Sequence, residues 1–215
     1  YYLSQNANDE FYTKKAIELL TEAANQYHMS AAFRLSEIYS KGTIVQKDEK
    51  KASYYSKMNS TGPNEYDSEY SIALFKMQGR KEIEKNAHEV FTRFTTISEN
   101  HPGAMYQLGK FYNNGIGTSK DCGEASDLFE KASDKGIIDA TSDFALCLLR
   151  ENGRPKNTEK AIELLTQSSE LGCRYATYLL AQCYLNGEGV QKDEAQAIKL
   201  LRISHSQGYT DATYL

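Results

Sequence analysis

The residues able to do chemistry are few and scattered. His28, His88, His101 and His205 recur at no fixed spacing. None forms a His-Glu-x-x-His pair that would aim two imidazoles at a metal from one helical face. Cys122, Cys147, Cys173 and Cys183 include no Cys-x-x-Cys, so a zinc site is not expected. Gly115-x-Gly117 and Gly187-x-Gly189 have the composition of a phosphate cradle, but they follow helical patterns rather than strands, and no third glycine arrives at the required spacing. There is no Gly-x-Ser-x-Gly elbow and no P-loop. The reading is a segment that is not an enzyme, with no catalytic, cofactor-binding or metal-binding residue and no small-molecule substrate. The histidines are expected to be exposed or helix-terminal, the glycine pairs to be turns, and the cysteines to be small buried apolar residues of a reducing compartment.

Composition narrows the class further. The 215 residues carry 25 basic and 29 acidic side chains, a formal charge of −4. That balance argues against a nucleic-acid partner and against a polybasic membrane patch. Forty per cent apolar residues suffice for a core. No run of about 18 apolar residues occurs, so membrane insertion is not expected. No charged-then-apolar leader is visible at Tyr1-Tyr2-Leu3, and the expected compartment is the cytoplasm, with the endoplasmic-reticulum lumen open if a signal peptide precedes. One sequon, Asn59-Ser60-Thr61, does not by itself place the chain in the secretory route. Three prolines favour helices over strands. Sixteen tyrosines and eight phenylalanines without a tryptophan point to aromatic packing.

The elements that position these residues follow from an internal repeat. Stepping by 36 gives Ala104, Ala140, Ala176 and Ala212; then Leu108, Phe144 and Leu180; then the small Gly109, Ala145 and Ala181; then Gly117, Gly153 and Gly189; then Asp121, Asn157 and Asp193; then Ala125, Ala161 and Ala197; then Gly136, Gly172 and Gly208. Such a period is the mark of a stacked array. The units read as 1–30 (partial), 31–67, 68–103 (irregular), 104–139, 140–175, 176–211, and 212–215 as the start of another. The chain is thus read as a window from a longer array.

Within a unit, apolar residues at helical spacing from Ala104, and again from Ala125, predict two helices. Asn114-Gly115-Ile116-Gly117 is the turn between them. Asp121 with Glu124, and Asp193 with Gln196, have the spacing of a capping box. Gly136, Gly172 and Gly208 sit where a helix C′ residue turns left-handed. The pairs Leu19-Leu20, Leu164-Leu165 and Leu200-Leu201 give each second helix two apolar flanks, one for its partner and one for the next unit. One helix pair cannot cover both, so stacking is obligatory. The expected fold class is all-α: a right-handed α-solenoid of stacked helix-turn-helix units.

The stretch Ala176-x-Tyr178-x-Leu180-Ala181-x-x-Tyr184-x-x-Gly187-x-Gly189-Val190-x-x-Asp193-x-x-x-Ala197-x-x-Leu200-Leu201 resembles the Sel1-like repeat, a tetratricopeptide-like unit with a longer, glycine-bearing turn. Leu35 to Ala52 looks the same. The resemblance is weaker from Ser68 to His101, where Lys76 stands in the usual Tyr position, and Glu151 replaces one turn glycine. Some bacterial relatives pair two cysteines per unit eight residues apart; Cys147 and Cys183 share one repeat position but have no partner at that spacing. An RNA-reading pentatricopeptide array, with its shorter unit and no Gly-x-Gly turn, fits less well. An ordinary tetratricopeptide array is a closer cousin with the same class of function.

The resemblance implies a scaffold or adaptor that binds a protein or peptide partner. The alternative is a regulatory or docking segment of a larger enzyme or complex, such as a kinase or an adaptor of a ubiquitin ligase in endoplasmic-reticulum-associated degradation. In such arrays the first helices usually line the concave side. Their outward stripe reads Arg34, Glu37 and Lys41; Gln107, Lys110 and Asn114; Asp143, Leu146 and Arg150; Leu179, Gln182 and Asn186. With both leucines expected to be exposed, this is a candidate groove for a partner helix or extended peptide. A solvated polar face reads the same way. Phe33, Tyr70, Tyr106, Tyr178 and Tyr214 share another position, fit either for packing or for gripping a partner.

Overall fold

The computed structural model describes residues 7–42, 44–58, 66–77 and 80–209. Among these residues there are eleven helices and no strand: α1 (Ala7–Asn25), α2 (Met29–Lys41), α3 (Glu49–Met58), α4 (Asp67–Lys76), α5 (Arg80–Ile97), α6 (Pro102–Asn114), α7 (Cys122–Asp134), α8 (Ile138–Arg150), α9 (Thr158–Glu170), α10 (Arg174–Asn186) and α11 (Glu194–Ser206). The even-numbered helices are the first helices of their units. Each packs on the odd-numbered helix that follows it, and from α4 onward each hairpin packs on the next. The result is a right-handed α-solenoid.

Helix ends follow the repeated residues. The side chains of Asp121, Asn157 and Asp193 each accept the backbone N–H three residues on, at 2.9–3.0 Å. The return half of the expected capping box is replaced. The backbone N–H of each cap instead donates to a carbonyl near the end of the preceding first helix: Tyr112, Leu148 and Tyr184. That bond fixes how the second helix starts relative to the first, and it does so through the backbone rather than the Glu124 or Gln196 side chain.

The small position at Gly109 has the predicted role. A Cβ there would stand 2.7 Å from the Phe129 ring, so the absent side chain sets the approach of α6 and α7. The second turn glycine joins units. A Cβ on Gly153 would collide with the carbonyl of Cys122 at the start of α7, the second helix of the preceding unit.

The core runs through Leu35, Tyr70, Phe94, Leu108, Phe111, Phe129, Phe144, Leu165, Leu180 and Leu201. Two expectations need correction here. Leu164 is only half-buried while Leu165 is fully buried, so one member of the pair carries the packing. In α1, Leu19 is 55 % exposed. In the irregular unit Ile72, aligned with Leu108, Phe144 and Leu180, is 43 % exposed, whereas Ala73, aligned with the small Gly109, Ala145 and Ala181, is buried, as is Tyr70. Helix α4 spans ten residues and α5 eighteen, against thirteen for each helix from α6 on. The irregular unit's shortening and lengthening therefore fall on the two helices themselves.

Candidate partner-binding face

The predicted stripe divides into three parts. On α2 its residues are satisfied among themselves. Glu37 bridges Arg34 (Nη1 to Oε2, 3.2 Å) and Lys41 (Nζ to Oε1, 2.9 Å) on an exposed surface. The hydrogen bond from Lys41 and its charge, with help from Arg34, hold the Glu37 carboxyl below its ordinary value.

On the later first helices part of the stripe is buried (Gln107, Leu179) or half-buried (Asp143, Leu146), which corrects the expectation for four residues. Gln107 is buried beside the Tyr70 hydroxyl. Asp143 accepts a 2.9 Å hydrogen bond from the Tyr106 hydroxyl. Burial pushes the Asp143 carboxyl up to about 6, against the opposing pull of the Tyr106 hydrogen bond and the Lys110 charge. Leu179, expected to be exposed, is 4 % exposed and part of the core. Leu146, also expected to be exposed, is half-buried against that core.

The accessible remainder lies on the C-terminal halves of α6, α8 and α10. Lys110 lies over the Tyr106 ring, 5.4 Å from its centre, a cation–π contact that leaves the ammonium near solvent. The Asn114 amide donates to the Lys110 carbonyl at 2.9 Å. The Gln182 amide donates to the Tyr178 hydroxyl at 2.7 Å. Arg150 and Asn186 are exposed. The surface offers two cations and three amides, a polar strip with local positive charge.

The aromatic position serves mostly for packing. Tyr70 and Tyr106 are buried. Tyr178 is half-buried against Tyr209, with ring centres 4.8 Å apart. Phe33 alone among the described members is exposed, at 41 %. Tyr214 lies outside the described residues.

One residue with long-range contacts was not singled out from the sequence. Tyr27, in the turn between α1 and α2, has φ +64°. It stands at the repeat position of Gly136, Gly172 and Gly208, whose φ values are +87° to +89°. The signal was therefore available: a tyrosine where three aligned units carry glycine. Its hydroxyl donates to Asp139 Oδ2 at 2.8 Å. Its ring meets Tyr106 edge-on, with centres 5.7 Å apart. Burial and the nearby carboxylates push both phenols well above their ordinary range, Asp139 acting mainly on Tyr27 and Asp143 mainly on Tyr106. They remain neutral hydrogen-bond donors at physiological pH.

His101 is fully buried, caps α6 by accepting the Ala104 N–H at 3.1 Å, and stacks on Tyr70 with centres 4.2 Å apart. His28 occupies the N-cap of α2, and His88 and His205 are exposed. Cys147, Cys173 and Cys183 are buried, Cys122 is half-buried, and all four are free thiols. Burial pushes Cys147 and Cys183 up to about 11, which keeps them protonated and poor nucleophiles at neutral pH. Among the described residues no cluster of metal-ligating side chains occurs, and no helix is long and apolar enough to cross a membrane.

The Sel1 repeat model matches residues 13–28, 30–58, 102–137, 140–173 and 174–209, well over half of the chain. The chain belongs to the Sel1 repeat family. The family model leaves 59–101, the stretch containing α4 and α5, unmatched. Among solved structures, the chain is similar to a Sel1 repeat protein from Oxalobacter formigenes, at 24 % identity and TM-score 0.63, over 96 % of this chain and 86 % of that one. It is also similar to c5321, a protective antigen present in uropathogenic Escherichia coli strains that displays an SLR fold, at 21 % identity and TM-score 0.60. That match covers 92 % of this chain and 42 % of the antigen. At these identities the similarity concerns the fold. A search of curated proteins finds no match. Sel1 repeats generally serve as protein-interaction scaffolds, and the repeat fold is typically non-catalytic.

Proposed function

We propose that this Sel1 repeat array is a non-catalytic scaffold that binds a partner helix or extended peptide along the C-terminal halves of α6, α8 and α10. The observation that carries the reading is the strip of exposed Asn114, Arg150 and Asn186 with half-buried Lys110 and Gln182, presented at repeat spacing by three consecutive first helices. Lys110 and Arg150 favour a partner segment with acidic side chains on one face; in a chain of net charge −4, this local positive strip selects by charge. The amides add hydrogen bonds to the partner's backbone or polar side chains. Because Gln107 and Asp143 are covered, the strip is narrower than the full stripe, which suits one helix or one extended segment rather than a broad domain face.

The test is capture from native extract with the wild-type array, with a Lys110→Glu/Arg150→Glu variant, and with a control carrying Lys131→Glu and Lys199→Glu on second helices. All three must retain the same circular dichroism. The reading expects one partner retained by wild type and control and lost from the strip variant. A partner held equally by all three overturns it.

A further inference from the structure

We propose that Tyr27 is an intramolecular clasp: seating its ring holds the block α1–α3 closed against α4, α6 and α8, and releasing it opens the concave side of the array. The inference does not depend on where a partner docks.

Four observations carry it. First, the backbone of Tyr27 is left-handed, at φ +64°, where side chains other than glycine are disfavoured. The aligned turns solve the same problem with Gly136, Gly172 and Gly208. A tyrosine persists in that conformation only when its surroundings over-determine it, and here the ring is 4 % exposed.

Second, the seat is shaped for this residue. A Cβ on Gly103 would stand 2.5 Å from the Tyr27 Cβ. The aligned positions in the next two units are Asp139 and Tyr175, so the side chain is missing from the unit that Tyr27 crosses. Tyr106 packs edge-on at 5.7 Å and Tyr70 lies at 6.5 Å.

Third, the hydroxyl reaches far along the chain. Its bond to Asp139 in the first turn of α8 spans 112 residues. Joints between adjacent units, such as Tyr106 to Asp143 and Asn152 to Asn113, span 37 and 39. Tyr27 therefore ties the first described units to the fourth hairpin directly, bypassing the stack between them.

Fourth, part of the interface is open. Between α3 on one side and the ends of α7, α8 and α9 on the other lies an open cleft of about 740 Å³. Lys57 and Tyr54 line one wall, and Asp134, Ile138, Glu170 and Leu171 line the other. Beside the cleft the block touches the same wall at two further points: the Met58 backbone approaches Gly136, and Tyr54 packs on the core near Asp139 and Cys173. A block flanked by a cleft and held by few points, of which Tyr27 reaches furthest along the chain, pivots when the ring leaves.

The clasp predicts a change in shape without a change in helix content. Tyr27→Gly removes the ring and suits the left-handed backbone, so the α1–α2 turn is retained. Gly103→Ala keeps the ring but fills its seat. Small-angle X-ray scattering should show a larger radius of gyration for both variants than for wild type, at equal circular dichroism. Thiol labelling resolved by mass spectrometry gives a second readout. Cys173 lies beside Asp139, its Sγ 3.8 Å from Oδ1, and should label several-fold faster in both variants, while Cys183 in the core of α10 should not change. Scattering and Cys173 labelling that match wild type in both folded variants overturn the clasp. Loss of helix content in Tyr27→Gly also overturns it, because the ring would then be an ordinary core residue.

Discussion

At neutral pH the Asp143 carboxylate is charged in a place that disfavours its charge. Its folded-state value of about 6 stands above the roughly 3.9 of an unfolded aspartate. The native state therefore holds this proton more tightly, and stability falls as pH rises from about 4 through 6. Above that window the cost is fully present. With allowance for partial exposure, Asp143→Asn should stabilise the protein by about 1–2 kcal/mol near pH 7.5, and the gain should vanish near pH 4. Urea unfolding at the two pH values checks this. Glu151 has the other positive φ outside glycine, +53° at the C-cap of α8, and its side chain is exposed. Glu151→Gly should gain about 0.5–1 kcal/mol, since relief of the left-handed strain exceeds the extra entropy of an unfolded glycine; thermal unfolding reads it. The departure at Glu151 was legible, because two aligned turns carry glycine there. The burial of Asp143 and Gln107 was not. Helical spacing places both on an outward face, and only the tyrosines that close over them, from α6 and from the irregular unit, turn that face inward.

At the scale of the helix, the repeat told the helix ends, turns and close approaches from α6 to α11, because each of those positions has one physical job. Aspartate or asparagine caps a second helix, a small residue lets α6 and α7 approach, and the second turn glycine seats one unit on the helix before it. Gly153→Ala should destabilise by about 2–4 kcal/mol, since the added carbon meets backbone that cannot move independently. Leu165→Ala should cost about 2–5 kcal/mol. Leu164→Ala, at the half-buried member of the pair, should cost no more than about 1–2 kcal/mol. Chemical denaturation of the two leucine variants side by side distinguishes their roles. The irregular unit was less legible. Its ten-residue α4 buries Tyr70 and Ala73, the latter at the repeat's small core position, but leaves Ile72 outside, so the periodic pattern failed at that one core position. The pattern presumes a standard partner on each flank, and α4 does not have one.

For the whole molecule, stacking gave the architecture, but the long-range contact of Tyr27 with Asp139 has no periodic signature. Local repeats fix how each unit meets the next; how far the array curls depends on residues that break the repeat, here Tyr27, Gly103 and the altered α4–α5 pair. Tyr70 and Tyr106 close over Gln107 and Asp143, which leaves the strip from Lys110 to Asn186 as the proposed docking surface. The most direct measurement is hydrogen–deuterium exchange of the array with and without its captured partner, read peptide by peptide. The account predicts new protection over the C-terminal halves of α6, α8 and α10, with α7, α9 and α11 unchanged. Protection confined to the second helices, with none at Lys110, Arg150 or Asn186, would contradict it.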